Sequence, residues 1–374
     1  MDGVIFATVI AARILVPLAI PRFPLPAMLA ALVVDGLDQT IFQTFTSLPL
    51  DGYQNYDKAL DVYYLSIAYT ATMRNWTQHT AVAVGRFLYY YRLVGVVIFE
   101  LSQVRAVLLI FPNTWEYFFD FYEAVRARWD PRRMTAGLVI GAAAFIWIVI
   151  KLPQEWWIHV AQLDATDTIK TVIFGVSPET SWLDAFANRP SVLVALGIAL
   201  VGLAVLARWL FTKRLPPADR PLTFDADQGQ EPVDLARVDA VRRRLAGRLV
   251  DRELVEKTAL IALVAIIFGR MLPGTDPTPL ETAIGIAIFI VANTAITEAL
   301  VRQGASWTSA VRQFSVMLVI NLLIIAVGQA ILTSLTAQRL EHALVFAFLL
   351  TLIVTLYDRY RPIHVARFAA DHHG

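Results

Sequence analysis

Long apolar runs, each bounded by charged residues, proline or glycine, dominate this chain. A helix needs about 20 apolar residues to cross the hydrocarbon of a bilayer. About eleven runs approach that length, and a count of ten also fits; they are residues 4–20, 27–45, 59–73, 80–99, 104–122, 135–150, 191–211, 258–272, 280–300, 314–335 and 342–357. The pattern predicts an all-α fold, a polytopic transmembrane helix bundle.

The composition supports this class. The 374-residue chain is 57% hydrophobic and 17% charged, and its mean hydropathy is +0.57, which is typical of membrane proteins. The net charge of +1 gives no indication of nucleic acid as a partner. The expected partner is the lipid bilayer, because the apolar runs are long enough to cross it. Cysteine is absent, which excludes structural disulfides and thiolate metal sites.

Basic residues in the short loops predict the orientation, because positive loops stay on the cytoplasmic side. They cluster on one side of the predicted bundle, at Arg126, Arg128, Arg132, Arg133, Lys213, Arg214, Arg302, Arg312, Arg359, Arg361 and Arg367. An odd number of spans then places the N-terminus outside and the C-terminus inside. The expected location is the inner (plasma) membrane of a bacterial-type cell.

One break in composition divides the chain into three parts. Residues 1–211 form a predicted bundle of about seven spans, residues 212–256 a cytoplasmic linker, and residues 257–374 a bundle of about four spans with a short tail. Within the linker, residues 233–252 have the spacing of a basic amphipathic helix. Two interpretations are open: a helix lying on anionic lipid headgroups, or a connector docked on the bundle.

Charged residues inside the predicted spans locate the candidate site. A carboxylate at bilayer depth costs about 2.5–3.5 kcal/mol on insertion scales, so such residues usually face the bundle interior. The position of a residue along its span predicts its depth in the bilayer. Eight polar residues from different spans are predicted to lie at similar depths: Arg13, Asp35, Asp38, Gln39, Arg86, Asn113, Glu116 and Asp120. Asn113, Glu116 and Asp120 share one helical stripe that starts beside Pro112, where a kink would free a carbonyl.

These residues are the predicted substrate- or ion-binding positions. The leading interpretation is a transporter coupled to protons or a cation, in which the acids accept the ion and Arg13 or Arg86 balances them or meets an anionic substrate. The competing interpretation of each pair is a structural ion pair that fixes helix packing. A non-catalytic subunit or scaffold is a further alternative, and the oligomeric state is open.

A second acidic group, at the predicted outer end of the third span, favours a different chemistry. Asp57 and Asp61 are four residues apart, a spacing that can hold Mg²⁺ against a diphosphate. With Asn55 they are loosely similar to the Asp-rich motif of intramembrane prenyltransferases. The resemblance covers seven residues, without a second Asp-rich motif, and implies an enzyme that acts on a lipid or polyprenyl phosphate. The sequence favours transport over this alternative, and it indicates no cofactor beyond Mg²⁺ for the enzyme.

Overall fold

The computed structural model describes residues 1–47, 53–163, 165–213, 215–228, 235–246, 252–271, 310–332 and 337–368, with single positions between 289 and 295. Every regular element among these residues is a helix. The predicted all-α fold is therefore confirmed for this part of the chain. The predicted span at 280–300 lies almost wholly outside the described residues.

The first part of the chain is a run of ten helices. Their bounds are α1 (Asp2–Leu15), α2 (Pro24–Phe45), α3 (Tyr53–Asn75), α4 (His79–Ser102), α5 (Ala106–Ile110), α6 (Thr114–Arg126), α7 (Ala136–Val160), α8 (Ala165–Thr168, with a π-helical continuation Ile169–Phe174), α9 (Trp182–Asn188) and α10 (Pro190–Lys213). Two short 3-10 turns, Val16–Ala19 and Pro131–Arg133, join neighbouring helices.

Four further helices are described in the second part: α11 (Leu235–Ala246), α12 (Arg252–Met271), α13 (Ala310–Leu332) and α14 (Ala337–Phe368). Because α12 already begins at Arg252, Glu256 lies in the bundle, although the sequence places it in the linker. The apolar face of α11 packs on α14, where Val238 and Val241 are buried against Ala366. These contacts between α11 and α14 support the interpretation of α11 as a connector docked on the bundle.

Local sequence explains where several helices begin. Pro24 opens α2, because a proline at the first helical position loses no intrahelical bond. Thr135 caps α7 by accepting a 3.2 Å hydrogen bond from the Leu138 amide. Pro112 falls between α5 and α6, and the ring cannot continue a helix there. The predicted span at 104–122 is thus divided into two short helices.

The central helix of the bundle is α3, which packs against α2, α4, α12 and α14. Its residues from Ala59 to Met73 are almost all buried, so other helices enclose it on most sides. Beside its C-terminal half lies a layer of fully buried aromatic rings, formed by Trp76, Trp115, Phe118, Phe119 and Tyr122.

Fewer helices than predicted qualify as membrane crossings on their own. Among the described residues, four are long and apolar enough: Asp2–Ala19, Pro24–Phe45, His79–Ser102 and Ala136–Val160. A fifth arises if the pair Trp182–Asn188 and Pro190–Leu206, bent by 92°, is one broken span. The count of about eleven is not confirmed. α3 is not among the helices able to cross a membrane because its residues are too polar, and α5 and α6 are each too short to do so.

The helix α7 continues past residue 150 to Val160, so Trp156 and Trp157 both belong to it. Two stretches of α7 are π-helical, Ile146–Lys151 and Trp156–Val160. Such bulges occur frequently at functional sites, because the extra residue per turn redirects the side chains.

Candidate functional site

The first polar centre lies where α1, α2 and α3 meet. Arg13 lies 11 residues from the start of α1, about 16 Å along the helix, and Asp35 lies equally far from the start of α2. Asp57 and Asp61 are one helical turn apart on α3 and face the same point. The sequence assigns these two aspartates to a separate outer group, but the structure places them in contact with Arg13.

Four carboxylates surround the Arg13 guanidinium. Arg13 Nη1 donates to Asp57 Oδ1 at 2.5 Å, and Nη2 donates to Asp61 Oδ1 at 2.8 Å. The same guanidinium forms ion pairs with Asp35 and Asp38 on α2. We call Arg13, Asp35, Asp38, Asp57 and Asp61 the Arg13 cluster. Arg13 itself is 4% exposed, so this cation is enclosed by protein.

Charge in the Arg13 cluster is strongly unbalanced. If all four carboxylates ionise, one guanidinium leaves three negative charges uncompensated within the cluster. Carboxylates held this close together repel one another, so uptake of a proton or a cation would relieve the excess negative charge. Asp57 and Asp61 each keep 36% of the side chain exposed, which gives such an ion an approach from one side.

The donor set of the cluster also suits a divalent cation. One oxygen each from Asp35, Asp57 and Asp61 lies within 4.8 Å of the others. Oxygen ligands of this kind are those that Mg²⁺ prefers. However, Arg13 donates to Asp57 and Asp61, so its charge would oppose a dication on the same oxygens. The arrangement therefore fits protons or a monovalent cation better than Mg²⁺.

A second polar centre surrounds Glu116 near the start of α6. Glu116 Oε2 accepts hydrogen bonds from Tyr64 Oη at 3.0 Å and Asn113 Nδ2 at 2.7 Å. Its other oxygen, Oε1, lies 3.7 Å from Lys151 Nζ. The Lys151 ammonium is also 3.6 Å from the centre of the Tyr117 ring, a cation–π distance. We call Tyr64, Asn113, Glu116 and Lys151 the Glu116 cluster.

The break at Pro112 shapes this second centre. The carbonyls of Ile110 and Phe111 accept hydrogen bonds from Tyr91 Oη (2.9 Å) and Arg92 Nη1 (3.0 Å). The Asn113 amide donates to Glu155 Oε1 at 3.0 Å. The backbone groups freed by the break are therefore satisfied by side chains of α4 and α7, as buried backbone groups require.

Asp120 lies one turn beyond Glu116 on α6. Its Oδ1 atom is buried and accepts no hydrogen bond from the described residues. The Oδ1 atom of Asn113 is likewise buried and without a donor among them. Buried acceptors are normally satisfied, so these two atoms offer positions for a ligand that carries a positive charge or donor groups.

Two predicted site residues lie elsewhere. The Gln39 side chain is exposed on α2, and only its backbone amide donates to Asp38. Arg86 is 3.4 Å from Glu256 Oε2 on α12, and not near Arg13. Glu256 also pairs with Arg361 at 3.2 Å and accepts a hydrogen bond from Tyr69. We call Tyr69, Arg86, Glu256 and Arg361 the Glu256 cluster.

Sequence reasoning missed several partners. Lys151 and Glu155 lie just beyond the predicted span 135–150, and Glu256 lies in the predicted linker, so the sequence pattern does not place them inside the bundle. Tyr64 follows Asp61 by three residues, but its contact with Glu116 depends on tertiary packing, which spacing does not reveal. A signal was present for Lys151 and Glu155, because they follow an apolar run at a spacing of four residues.

Fold and site together define a helical protein whose four to five apolar helices are compatible with a membrane location. Among the described residues, the Arg13, Glu116 and Glu256 clusters each bring side chains of opposite charge together. No family model, curated protein or solved structure matches the chain.

Proposed function

We propose that this protein is an integral membrane transporter coupled to protons or a cation, with the Arg13 cluster as its ion site. The observation that carries the proposal is the excess of carboxylates around one buried guanidinium. Charged residues inside membrane bundles commonly mark ion pathways and proton relays. A location in the inner (plasma) membrane is part of this proposal.

The geometry suggests how ion and substrate sites are coupled. Protonation or cation binding at Asp35, Asp57 or Asp61 weakens the hold of these carboxylates on Arg13. Tyr64 lies one turn from Asp61 on α3 and donates to Glu116, so a shift of α3 at the Arg13 cluster reaches the Glu116 cluster directly. The broken α5–α6 unit supplies the substrate side of the site, as half-helices do in secondary transporters.

Flux measurements in proteoliposomes test the proposal. Vesicles containing a pH-sensitive dye receive a pH gradient and, in parallel, Na⁺ or K⁺ gradients. The wild-type protein is expected to move protons or one of these cations faster than protein-free vesicles do. Asp35→Asn and Glu116→Gln are each expected to lower this flux about tenfold, since each removes a charge from the relay. Asp130→Asn, on the predicted cytoplasmic loop, is the matched control.

Wild-type flux in both variants would refute the assigned roles. Loss of flux with aggregation in both, and normal behaviour of Asp130→Asn, would instead support the scaffold alternative, in which the charges only hold helices together. Size-exclusion chromatography of each variant separates these outcomes.

A metal-dependent enzyme is the second candidate, because Asp35 supplies a third carboxylate beside Asp57 and Asp61. With Mg²⁺ these residues would bind the phosphate groups of a lipid or polyprenyl substrate. Turnover of a polyprenyl diphosphate by purified protein, measured with Mg²⁺ and with excess chelator, tests this candidate. Equal turnover under both conditions, or none, counts against it.

Anionic lipid headgroups are proposed partners of α11. The Val238 and Val241 side faces α14, while Arg237 and Arg244 are exposed on the helix. Exposed arginines beside a bilayer attract anionic lipids at about 1 kcal/mol each. Flotation of the full chain with liposomes of differing anionic content, compared with Arg237→Gln/Arg244→Gln, measures this contribution.

A further inference from the structure

The polar segment 215–228, which we call the strap, is bound to the ends of several helices. Its composition predicts a linker, yet its backbone amides donate hydrogen bonds to other segments of the protein. The amides of Asp219 and Thr223 donate to the carbonyls of Arg128 and Ala127, each at 3.1 Å. The Ala226 amide donates to the Arg22 carbonyl at 2.7 Å, and the Ala226 side chain is 1% exposed.

Three aspartates of the strap pair with three arginines from different elements. Asp219 pairs with Arg133, just before α7, and Asp227 pairs with Arg74, in the last turn of α3. Asp225 lies 3.5 Å from Arg22, which precedes α2 by two residues. Each strap carboxylate therefore neutralises an arginine at the end of a helix.

The paired arginines remain accessible. The side chains of Arg133 and Arg22 are 73% and 64% exposed, and that of Arg74 is 23% exposed. Arg22 and Arg133 both lie within three residues of apolar helices long enough to cross a membrane. Arginines at this position lie at the height of lipid headgroups, where an anionic leaflet attracts them.

We propose that Arg22, Arg74 and Arg133 form a binding surface for anionic phosphate headgroups of the adjacent leaflet, which the strap aspartates occupy as tethered competitors. Guanidinium groups bind phosphate and carboxylate oxygens by the same two-pronged geometry, so one can replace the other. Exposed ion pairs of this kind contribute little individually, which makes the exchange feasible. The inference is independent of the ion that the Arg13 cluster carries.

The absence of cysteine allows a clean labelling experiment. Two single-cysteine variants of the full chain, Ala226→Cys and Ala218→Cys, are placed in nanodiscs of phosphatidylcholine, with or without phosphatidylglycerol. Ala226 is buried beneath the strap contacts and Ala218 is exposed, so the second variant is the matched control. Maleimide labelling of both cysteines is timed at constant pH.

Labelling of Ala226→Cys is expected to be slow in phosphatidylcholine and about tenfold faster with phosphatidylglycerol, because local opening exposes the thiol. Labelling of Ala218→Cys stays constant. Adding Arg22→Gln and Arg133→Gln to the Ala226→Cys variant is expected to abolish the lipid response. Adding Asp219→Asn, Asp225→Asn and Asp227→Asn is expected to give fast labelling without anionic lipid.

Two further conditions identify the source of the anion. Inorganic phosphate added to phosphatidylcholine nanodiscs is expected to have less effect than phosphatidylglycerol; an equal effect would overturn the lipid assignment in favour of free phosphate. KCl at the same ionic strength tests simple screening. If KCl releases the strap equally well, or if phosphatidylglycerol does not accelerate labelling, the proposal is wrong.

Discussion

The Tyr64 hydroxyl donates a hydrogen bond to Glu116 Oε2 at 3.0 Å, and Tyr64 lies on the same face of α3 as Asp61. One side chain thus lies between the Arg13 cluster and the Glu116 cluster. The contact is buried, so water competes little for it. Tyr64 therefore connects the helix that carries Asp57 and Asp61 to the broken α5–α6 unit.

Tyr64→Phe is expected to uncouple the two clusters. Glu116 keeps its hydrogen bond from Asn113, so the loss in stability should stay at about 0.5–1.5 kcal/mol, the value of one hydrogen bond. Coupled flux should fall about tenfold, as the removal of a relay group predicts. Proteoliposome flux and thermal unfolding of the same preparation measure both quantities.

Tyr63→Phe is the matched control for this prediction. Its hydroxyl donates to the Ile14 carbonyl at 3.0 Å and does not contact Glu116 in the structure. The same chemical change should lower stability similarly and leave flux near the wild-type value. Equal flux in the two variants would contradict a special role of Tyr64.

Arg13→Gln is expected to destabilise the protein at neutral pH by about 3–5 kcal/mol, the usual cost of removing one partner of a buried ion pair. Four carboxylates would then lack their cation. At lower pH, protonation of Asp57 and Asp61 relieves the repulsion, so the deficit should shrink. Thermal unfolding in detergent at pH 7 and pH 5 measures this change, with the exposed Arg105→Gln as control. A deficit that is the same at both pH values would argue against repulsion as its cause.

The sequence predicts much of this site because depth along a helix is set by residue number. Arg13, Asp35 and Asp38 converge as counting along α1 and α2 requires, and Pro112 breaks the helix where its missing donor predicts. Rotation about the helix axis and tilt are set by tertiary packing, which periodicity does not reveal. Consequently Asp57 and Asp61 join the Arg13 cluster unexpectedly, and Arg86 pairs with Glu256.

Gly95→Ala is expected to destabilise the break between α5 and α6. A Cβ atom at Gly95 would collide with the Phe111 side chain, which is adjacent to Pro112. Overpacking of this kind costs about 1–3 kcal/mol. Gly141→Ala on α7 is the control, since nothing lies within 4 Å of its added Cβ. Comparable melting temperatures for the two variants would contradict the predicted close approach.

Glu256→Gln is expected to loosen the attachment of α14. Arg86 and Arg361 both lie against Glu256 Oε2, so the neutral variant leaves two guanidinium groups without their shared carboxylate. The expected cost is about 3–5 kcal/mol. Lys257→Gln, which removes the neighbouring pair with Asp358, should cost less because it disrupts one ion pair, whereas Glu256→Gln disrupts two. Limited proteolysis near the end of α14 and thermal unfolding compare the two.

Acid is expected to release the strap. The hydrogen bond from the Asp227 amide, together with the charge of Arg22, lowers the pKa of Asp225 below its ordinary value of 3.8. The pKa of this carboxyl group is lower when the strap is docked than when it is free. The group therefore stabilises docking at pH values above the pKa of the free strap. This stabilisation is lost as the pH falls through the pKa of the docked strap. Docking should therefore be constant from pH 7 to about pH 4 and weaken below that.

Hydrogen exchange of the Ala226 backbone amide, corrected for its intrinsic pH dependence, reports this release, because that amide donates a hydrogen bond to the Arg22 carbonyl. Protection should fall only below about pH 4 in the wild-type protein. In Asp225→Asn the contribution of this carboxylate is already missing, so protection should be lower at neutral pH and less sensitive to acid. Loss of protection between pH 7 and pH 5 would show that another group controls the strap.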